Sequence, residues 1–341
     1  MSKPNRPRKK SSPGPNQPRV FHIDESAAQQ TLVTAIHKWC EVSWGEARRL
    51  IDTRHIHVNG NLCVDAGRRL TATEVVHVFS HSLAPPPKED DVKIRFIDEY
   101  IVVVEKPSGM TTLRHAEERF WPAARRQQQP TLEECLNRVI AKRERSRNTR
   151  QTASPKVRPV HRLDRDTSGV MVFARTVKAE RVLVHQFTKH TITRRYLAVA
   201  VGRISAMTID TVLVRDRGDG RRGSSDDDIE TQGKRAVTHV RPVEELGRFT
   251  LVECKLETGR THQIRIHLSE KGHTVCGDKV YAGKKFAKSK SDDGGAPRLA
   301  LHACELSFTH PITNEGLHFD SPLPNDLTAF VVGLRKKAVA D

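Results

Sequence analysis

Apolar and polar positions first fall into a regular order at Thr31. Before it, residues 1–20 mix Pro, Ser, Asn, Lys and Arg with almost no apolar side chains. Such a segment cannot bury enough surface to offset the entropy of ordering, so a disordered basic tail is expected. From Thr31, Leu32, Ala35, Ile36 and Trp39 recur at helical spacing, and Ser43 stands as an N-cap before a second periodic stretch with Ala47, Leu50 and Ile51. Two short helices are predicted. After them Ile56 and Val58 alternate with polar neighbours, and Asn59-Gly60 supplies the positive-φ positions of a tight hairpin turn. Glu74-Val-Val-His-Val-Phe79 reads as a further strand, which makes residues 21–84 a small α+β domain.

Pro85-Pro-Pro-Lys88-Glu-Asp-Asp91 breaks the pattern as a stiff, solvated linker over 85–91. Over 92–335, short β-branched runs bounded by turn residues predominate. Ile101-Val-Val-Val104, Val170-Met-Val-Phe173, Tyr196-Leu-Ala-Val-Ala-Val201, Thr250-Leu-Val-Glu-Cys254 and Ile264-Arg-Ile-His-Leu268 all read as strands. Helical stretches at 131–146 and 177–190 intervene irregularly, without the strict alternation of a doubly wound fold. The expected class is therefore α+β, with a mixed, mainly antiparallel sheet in the larger domain. Two polar interruptions stand out. Residues 115–158 form a basic insert that could clamp nucleic acid or be a mobile helix and loop, and 216–235 form a long loop or hairpin tip whose acidic run is expected to be solvated.

Charge narrows the partners. Lys+Arg number 58 against Asp+Glu 41, a formal charge of +17, which attracts polyanions: RNA, DNA or an acidic membrane. No apolar run has bilayer length, and no apolar stretch follows the basic N-terminus, so a cytoplasmic protein without a membrane partner is expected. The six cysteines at 40, 63, 135, 254, 276 and 304 form no C-x-x-C pair, and the histidines are scattered. Buried thiols and no metal are expected. The glycines of 218–220 and 294–295 lie in polar loop text, not after a buried strand, so no nucleotide-like cofactor is expected either. A monomer is the expected state.

The densest polar cluster is Pro159-Val-His161-Arg162-Leu163-Asp164-Arg165-Asp166-Thr167-Ser168-Gly169, directly before the strand at Val170. Alone, it would read as a solvated turn closed by Thr167, Ser168 and Gly169. It also resembles, with seven specified positions in nine, the H-R-L-D-x-x-T-S-G signature of the RluA-like pseudouridine synthases. Further matches follow in order over roughly 93–325. Lys106-Pro107-Ser-Gly109 is similar to the family's K-P-x-G turn, and Arg195-Tyr196-Leu-Ala-Val-Ala-Val-Gly202 to its second motif. Thr258-Gly259-Arg260-Thr261-His262-Gln263-Ile264-Arg265-Ile266-His267 resembles its T-G-R-x-H-Q-I-R-x-H segment, and Gly277-Asp278-Lys-Val-Tyr281, Arg298-Leu-Ala-Leu-His302 and His310-Pro311 its closing motifs. Within 31–80, Ala47-Arg48-Arg49-Leu50-Ile51 and Ile56-His57-Val58-Asn59-Gly60 resemble an S4-type RNA-binding domain.

The resemblance implies a cofactor-free isomerisation of uridine: the C1′–N1 bond breaks, the freed uracil turns, and C5 joins C1′. A carboxylate suits this chemistry because charge develops at C1′ much as in glycoside cleavage. By resemblance Asp164 is that carboxylate, Arg265 its ion-pair partner, and Tyr196 a base-stacking residue with a second possible role in removing the C5 proton. Asp166 falls at an unspecified position and is expected to be structural or exposed. A stacked base must be flipped out to react, and Arg162 is expected to fill the vacated space. His161, Leu163, Thr167, Ser168, Gly169, Arg260, His262 and Gln263 are expected to support the pocket, and Arg48, Arg49 and Arg54 to face RNA phosphates. By analogy with the family, a leading S4-type domain favours 23S ribosomal RNA over transfer RNA. A non-catalytic ribosome-assembly factor on the same scaffold, and a cofactor-dependent RNA methyltransferase, are the alternatives from other classes.

Overall fold

A computed structural model describes residues 18–80 except 26, 60 and 73, together with 87–114, 117–120, 126, 129–146, 156–214, 222–224, 233–281 and 294–340. The chain packs as two units, Met1–Pro85 and Pro86–Asp341.

The first unit joins two helices, α1 (Leu32–Cys40) and α2 (Trp44–Asp52), to four short strands: β1 (Arg19–His22), β2 (Ile56–Val58), β3 (Asn61–Leu62) and β4 (Val75–Val78). The strands lie in the order β1-β4-β2-β3, all antiparallel. Thr31 and Ser43 cap the helices, each accepting a backbone N–H three residues on, which satisfies one of the donors every helix start leaves open. The periodic residues Leu32, Ala35, Ile36, Ala47 and Ile51 are fully buried against Ile56 and Val76. Asn59 takes φ 53° at the hairpin turn, and its Oδ1 accepts from Val75 N at 2.8 Å. Arg19 and Val20, assigned above to the tail, instead open β1. The strand was invisible because its side chains are mostly exposed; it is held by pairing with β4 and by Phe21 stacked on Trp39 at 4.9 Å. Residues 1–17 lie outside the described residues.

The second unit is built on one long sheet. Its strands are β5 (Lys93–Ile97), β6 (Ile101–Lys106), β7 (Arg158–Pro159), β8 (Ser168–Ala174), β9 (Thr193–Val201), β10 (Met207–Val214), β11 (Gly223–Ser224), β12 (Lys234–Leu246), β13 (Phe249–Leu256), β14 (Leu301–Thr309) and β15 (Gly316–Asp320). The order is β11-β10-β12-β13-β9-β14-β8-β6-β5, with β15 on β14 and β7 on β8. Every pairing is antiparallel except β14 with β8, so the fold is α+β with a mainly antiparallel mixed sheet. Helices α3 (Leu132–Ser146), α4 (Val177–Thr188), α5 (Gln263–Glu270) and α6 (Asn325–Ala340) complete it. The centre of the sheet is covered on both faces, which is why β6 and β8 read as unbroken apolar runs rather than alternating ones. Val102, Val104, Met171 and Phe173 enter the larger core; Ile101, Val103, Val170 and Val172 face a second cluster with Ala179 and Leu183 of α4.

Two further expectations change. Ile264-Arg-Ile-His-Leu268 is helix α5, not a strand. Its apolar and polar residues alternate because the helix is buried on all sides: His267 is satisfied by Thr238 and Thr211 Oγ1 at 2.9 and 3.0 Å, so period two marks no solvent face. Lys88–Asp91, expected as solvated linker, is exposed apart from half-buried Glu89, but it belongs to the second unit. It makes a short 3-10 turn, and Glu89 receives Arg138 and Lys142 of α3 at 2.7 Å each. Of the cysteines, Cys63, Cys135, Cys254 and Cys276 are buried, and Cys40 and Cys304 half-buried. Much of 115–158 and 216–235 lies outside the described residues, although 132–146 of the former is α3.

The one parallel pairing sets a steric limit. Gly169 sits opposite Ala303 at φ 124°, and a Cβ on it would lie 2.2 Å from Ala303 O. Gly169→Ala should therefore lower stability by about 2–6 kcal/mol, overpacking added to backbone strain. A urea denaturation midpoint unchanged from the wild type would contradict this.

Candidate active site

The His161–Thr167 loop is gripped by the turn that follows β6. Lys106, 1% exposed, reaches across with Nζ to donate to Pro107 O, Met110 O and Arg165 O at 2.8–2.9 Å. Burial lowers its pKa to about 7. Ser108 Oγ donates to Asp166 O at 2.7 Å, Gly109 N to Arg165 O at 2.8 Å, and Thr112 Oγ1 to Leu163 O at 2.7 Å while accepting from Leu163 N at 3.2 Å. At the loop's start His161 Nε2 accepts from Val172 N at 3.1 Å and the ring stacks on Phe187 at 4.6 Å. Burial, helped by the positive Arg194, pushes its pKa down to about 3, so the ring is a neutral acceptor. At the loop's end Ser168 Oγ bonds His302 Nδ1 at 2.9 Å.

This clamp presents Asp164 to a pocket of about 400 Å³, within the usual size of small-molecule sites. The carboxylate is 16% exposed; its Oδ2 lies 3.3 Å from Arg265 Nη1 and 3.8 Å from His262 Nε2. Burial acts to raise its pKa, but His262 when protonated, together with the charges of Arg265 and Arg162, outweighs that and holds it below the ordinary value. Burial also lowers the pKa of His262, so at neutral pH Arg265 is the cation directly facing Asp164.

Arg265 is itself fixed from behind. Its Nε and Nη2 donate to Asp278 Oδ2 and Oδ1 at 2.6 and 2.9 Å, and its guanidinium lies 5.2 Å from the centre of the Tyr281 ring. Asp278 Oδ1 also accepts from Val280 N and Tyr281 N at 2.8 and 3.0 Å. Tyr281 OH bonds His262 Nδ1 at 2.9 Å. Gln263 secures the start of α5: its Oε1 accepts from Thr258 Oγ1 and Arg260 N, and its Nε2 donates to Val237 O and Thr238 Oγ1.

The pocket thus gathers His161, Arg162, Leu163, Asp164, Thr167, Tyr196, Arg260, His262, Gln263 and Arg265. Ser168 and Gly169 do not line it; they anchor β8 to β14. Asp166 does not line it either and serves through its carbonyl. Tyr196 is 7% exposed, and burial pushes its pKa up to about 12, so it is a neutral phenol at physiological pH. Arg48, Arg49 and Arg54 belong to the first unit. Arg48 and Arg49 extend from α2 with side chains 72% and 71% exposed, 3.9 Å from Asp52 and 3.8 Å from Glu46. Three supporting residues had no role assigned from sequence: Lys106, Asp278 and Tyr281. All lie in motifs visible in the sequence, but only tertiary contacts reveal what they hold. Among the described residues no His, Cys, Asp and Glu cluster could hold a metal.

Residues 100–270 match the family model described as RNA pseudouridylate synthase. The chain is 37% identical over 243 residues, 71% of its own length and 72% of the relative's, to a ribosomal large subunit pseudouridine synthase D of Zymomonas mobilis. The chain belongs to the RNA pseudouridylate synthase family. It is also 34% identical to an uncharacterized RNA pseudouridine synthase, YlyB, of Bacillus subtilis, over 92% of this chain and 98% of that one, a span that reaches into the first unit. The fold is shared with the human RNA pseudouridylate synthase domain containing 4, with a TM-score of 0.54 and 22% identity over 71% of this chain and 93% of that one. This pseudouridine synthase is therefore an RNA-modifying isomerase, with an α+β catalytic unit.

The bidentate Asp278 contact yields a pH-dependent expectation. Asp278 is held below the ordinary carboxylate pKa by Arg265 and two backbone N–H groups, against the opposing effect of burial. A depressed pKa contributes stability above the unfolded value, near 3.9, that is lost as pH falls through the folded one. Asp278→Asn, by leaving Arg265 half-paired, should cost about 3–5 kcal/mol at pH 7, and the difference from wild type should shrink below about pH 4. Denaturation curves for both proteins from pH 3 to 8 would check this; a pH-independent gap would contradict it.

Proposed function

We propose that this enzyme converts uridine to pseudouridine in large-subunit ribosomal RNA, with Asp164 as its catalytic carboxylate. The observation that carries the reading is an ionised, nearly buried Asp164 facing Arg265 in a pocket of nucleoside size, in a chain of this family. The preference for ribosomal RNA over transfer RNA is supported by the name of the Zymomonas relative. The uridine flips into the pocket at a cost of a few kcal/mol, with Arg162, exposed at the rim, standing in the space it leaves. Asp164 stabilises or attacks the electron-poor sugar as C1′–N1 breaks. The uracil turns, C5 bonds C1′, the C5 proton leaves, and N1 ends protonated, so atoms balance without a cofactor. Tyr196 packs against the base; as a neutral phenol it is a poor acceptor for the C5 proton.

The first unit is read as an S4-type RNA-binding domain over 21–84, with Arg48, Arg49 and Arg54 toward phosphates. The protein is read as a cytoplasmic monomer. No helix among the described residues is long and apolar enough to cross a membrane.

Tritium release from C5-labelled uridine tests the chemistry. Wild type should release tritium from the ribosomal pool and not from transfer RNA. Asp164→Asn should lower the rate by about a thousandfold or more while still binding RNA; retention of full activity would sink the mechanism. Replacing Arg48 and Arg49 together by Ala should weaken RNA binding and flatten the dependence of log Kd on log salt by about two. An unchanged slope would remove these two residues from the RNA interface.

A further inference from the structure

Four arginines are buried among the described residues: Arg114, Arg175, Arg194 and Arg265. Three are neutralised: Arg114 by Glu134, Arg175 by Glu144, and Arg265 by Asp278 and Asp164. Arg194 alone has no carboxylate partner among the described residues. It is 7% exposed and stands two residues before Tyr196 on β9, hence on the same face of the strand. Its Nη2 donates to Glu257 O at 2.8 Å, its Nε is buried without a hydrogen-bond partner, and its guanidinium lies 5.5 Å from the centre of the Phe187 ring. Burial disfavours its charge.

Arg194 is also a wall of the active-site pocket, together with Gly259. The bare Cα of Gly259 makes room for it, since a Cβ there would lie 2.6 Å from Arg194 Nη1. A buried cation without a counter-charge is costly. A bound anion inside the same pocket would remove that cost.

We propose that Arg194 binds a phosphodiester of the RNA substrate, one flanking the uridine that enters the pocket. The inference rests on the reading of this site as a pseudouridine synthase centre. A phosphodiester carries a full negative charge and non-bridging oxygens suited to guanidinium N–H donors. A uracil carbonyl could accept a hydrogen bond from Arg194 but would leave its charge uncompensated.

The test is a double-substitution cycle on the full-length protein. The probe is a large-subunit ribosomal RNA hairpin carrying a uridine from which wild type releases tritium; the phosphodiester on each side of that uridine is replaced in turn by an uncharged methylphosphonate. Arg194→Gln should weaken binding of the native hairpin by about ten- to a hundredfold and flatten the salt slope by about one. One of the two methylphosphonates should weaken wild-type binding by a similar factor and Arg194→Gln binding hardly further. Arg194→Lys should keep most of the salt slope, which separates a lost phosphate contact from a damaged fold. Equal losses from Arg194→Gln on the native and both neutral-linkage hairpins overturn this inference alone and make Arg194 a base-reading or bracing residue. A wild type that releases no tritium from ribosomal or transfer RNA overturns the reading of the reaction, and this inference with it.

Discussion

A carboxylate that is mostly buried stays ionised only beside a counter-charge, and much of the catalytic unit follows from that constraint. Burial favours the neutral acid, so Asp164 needs a cation, and Arg265 supplies it at 3.3 Å. A buried guanidinium in turn needs its own counter-charge, which Asp278 provides through two shorter contacts. Asp278 is held by the N–H groups of Val280 and Tyr281, in a turn whose Gly277 runs at φ 75° with no space for a Cβ beside Arg298 O. The order of distances has a chemical meaning. Arg265 commits its bidentate edge to Asp278 and meets Asp164 by a single longer contact, which keeps Asp164 ionised without occupying all its lone pairs.

Position matters as much as charge. Asp164 lies in a loop, and loops are mobile unless something holds them. Here Lys106, Ser108, Gly109 and Thr112 bind the backbone of residues 163–166 from one side, while His161 and Ser168 tie its two ends to β8 and β14. The polar residues of this sequence cluster thus divide into those that meet the pocket and those that hold the loop still. A motif shows both kinds alike.

Strands β6, β8, β9 and β13 and helices α1 to α4 were legible because their burial leaves a simple trace: period 3.6 with caps at Thr31 and Ser43, or apolar runs such as Val170–Ala174 bounded by turns. Helix α5 was not, because a helix buried on every side has no polar face to set its period, and Ile264, Ile266 and Leu268 happen to alternate with Arg265 and His267. Strand β1 was hidden for the opposite reason, its stability coming from backbone pairing at an edge and one aromatic contact. At the site, Asp164, Arg265 and Tyr196 were found through motif resemblance, and they do converge on one pocket. The dependence of Arg265 on Asp278, 13 residues later, could not be read from spacing, because a turn and not a periodic element brings them together.

The pocket's cations also differ in what they can contribute. Arg162 and Arg260 are exposed, so water already compensates them and a substrate gains little by replacing it. Arg265 is compensated internally and serves the carboxylate. Arg194 alone combines burial with the lack of a partner carboxylate among the described residues. Flipping a uridine costs a few kcal/mol before any bond changes, and contacts realised only once the nucleotide is inside are the ones that can offset it. On the proposed reading, surface arginines on the first unit strengthen the encounter equally for flipped and stacked RNA, and a buried cation beside Tyr196 acts only on RNA that has entered. The separation of these two roles follows from where the charges lie relative to water, whatever RNA is bound.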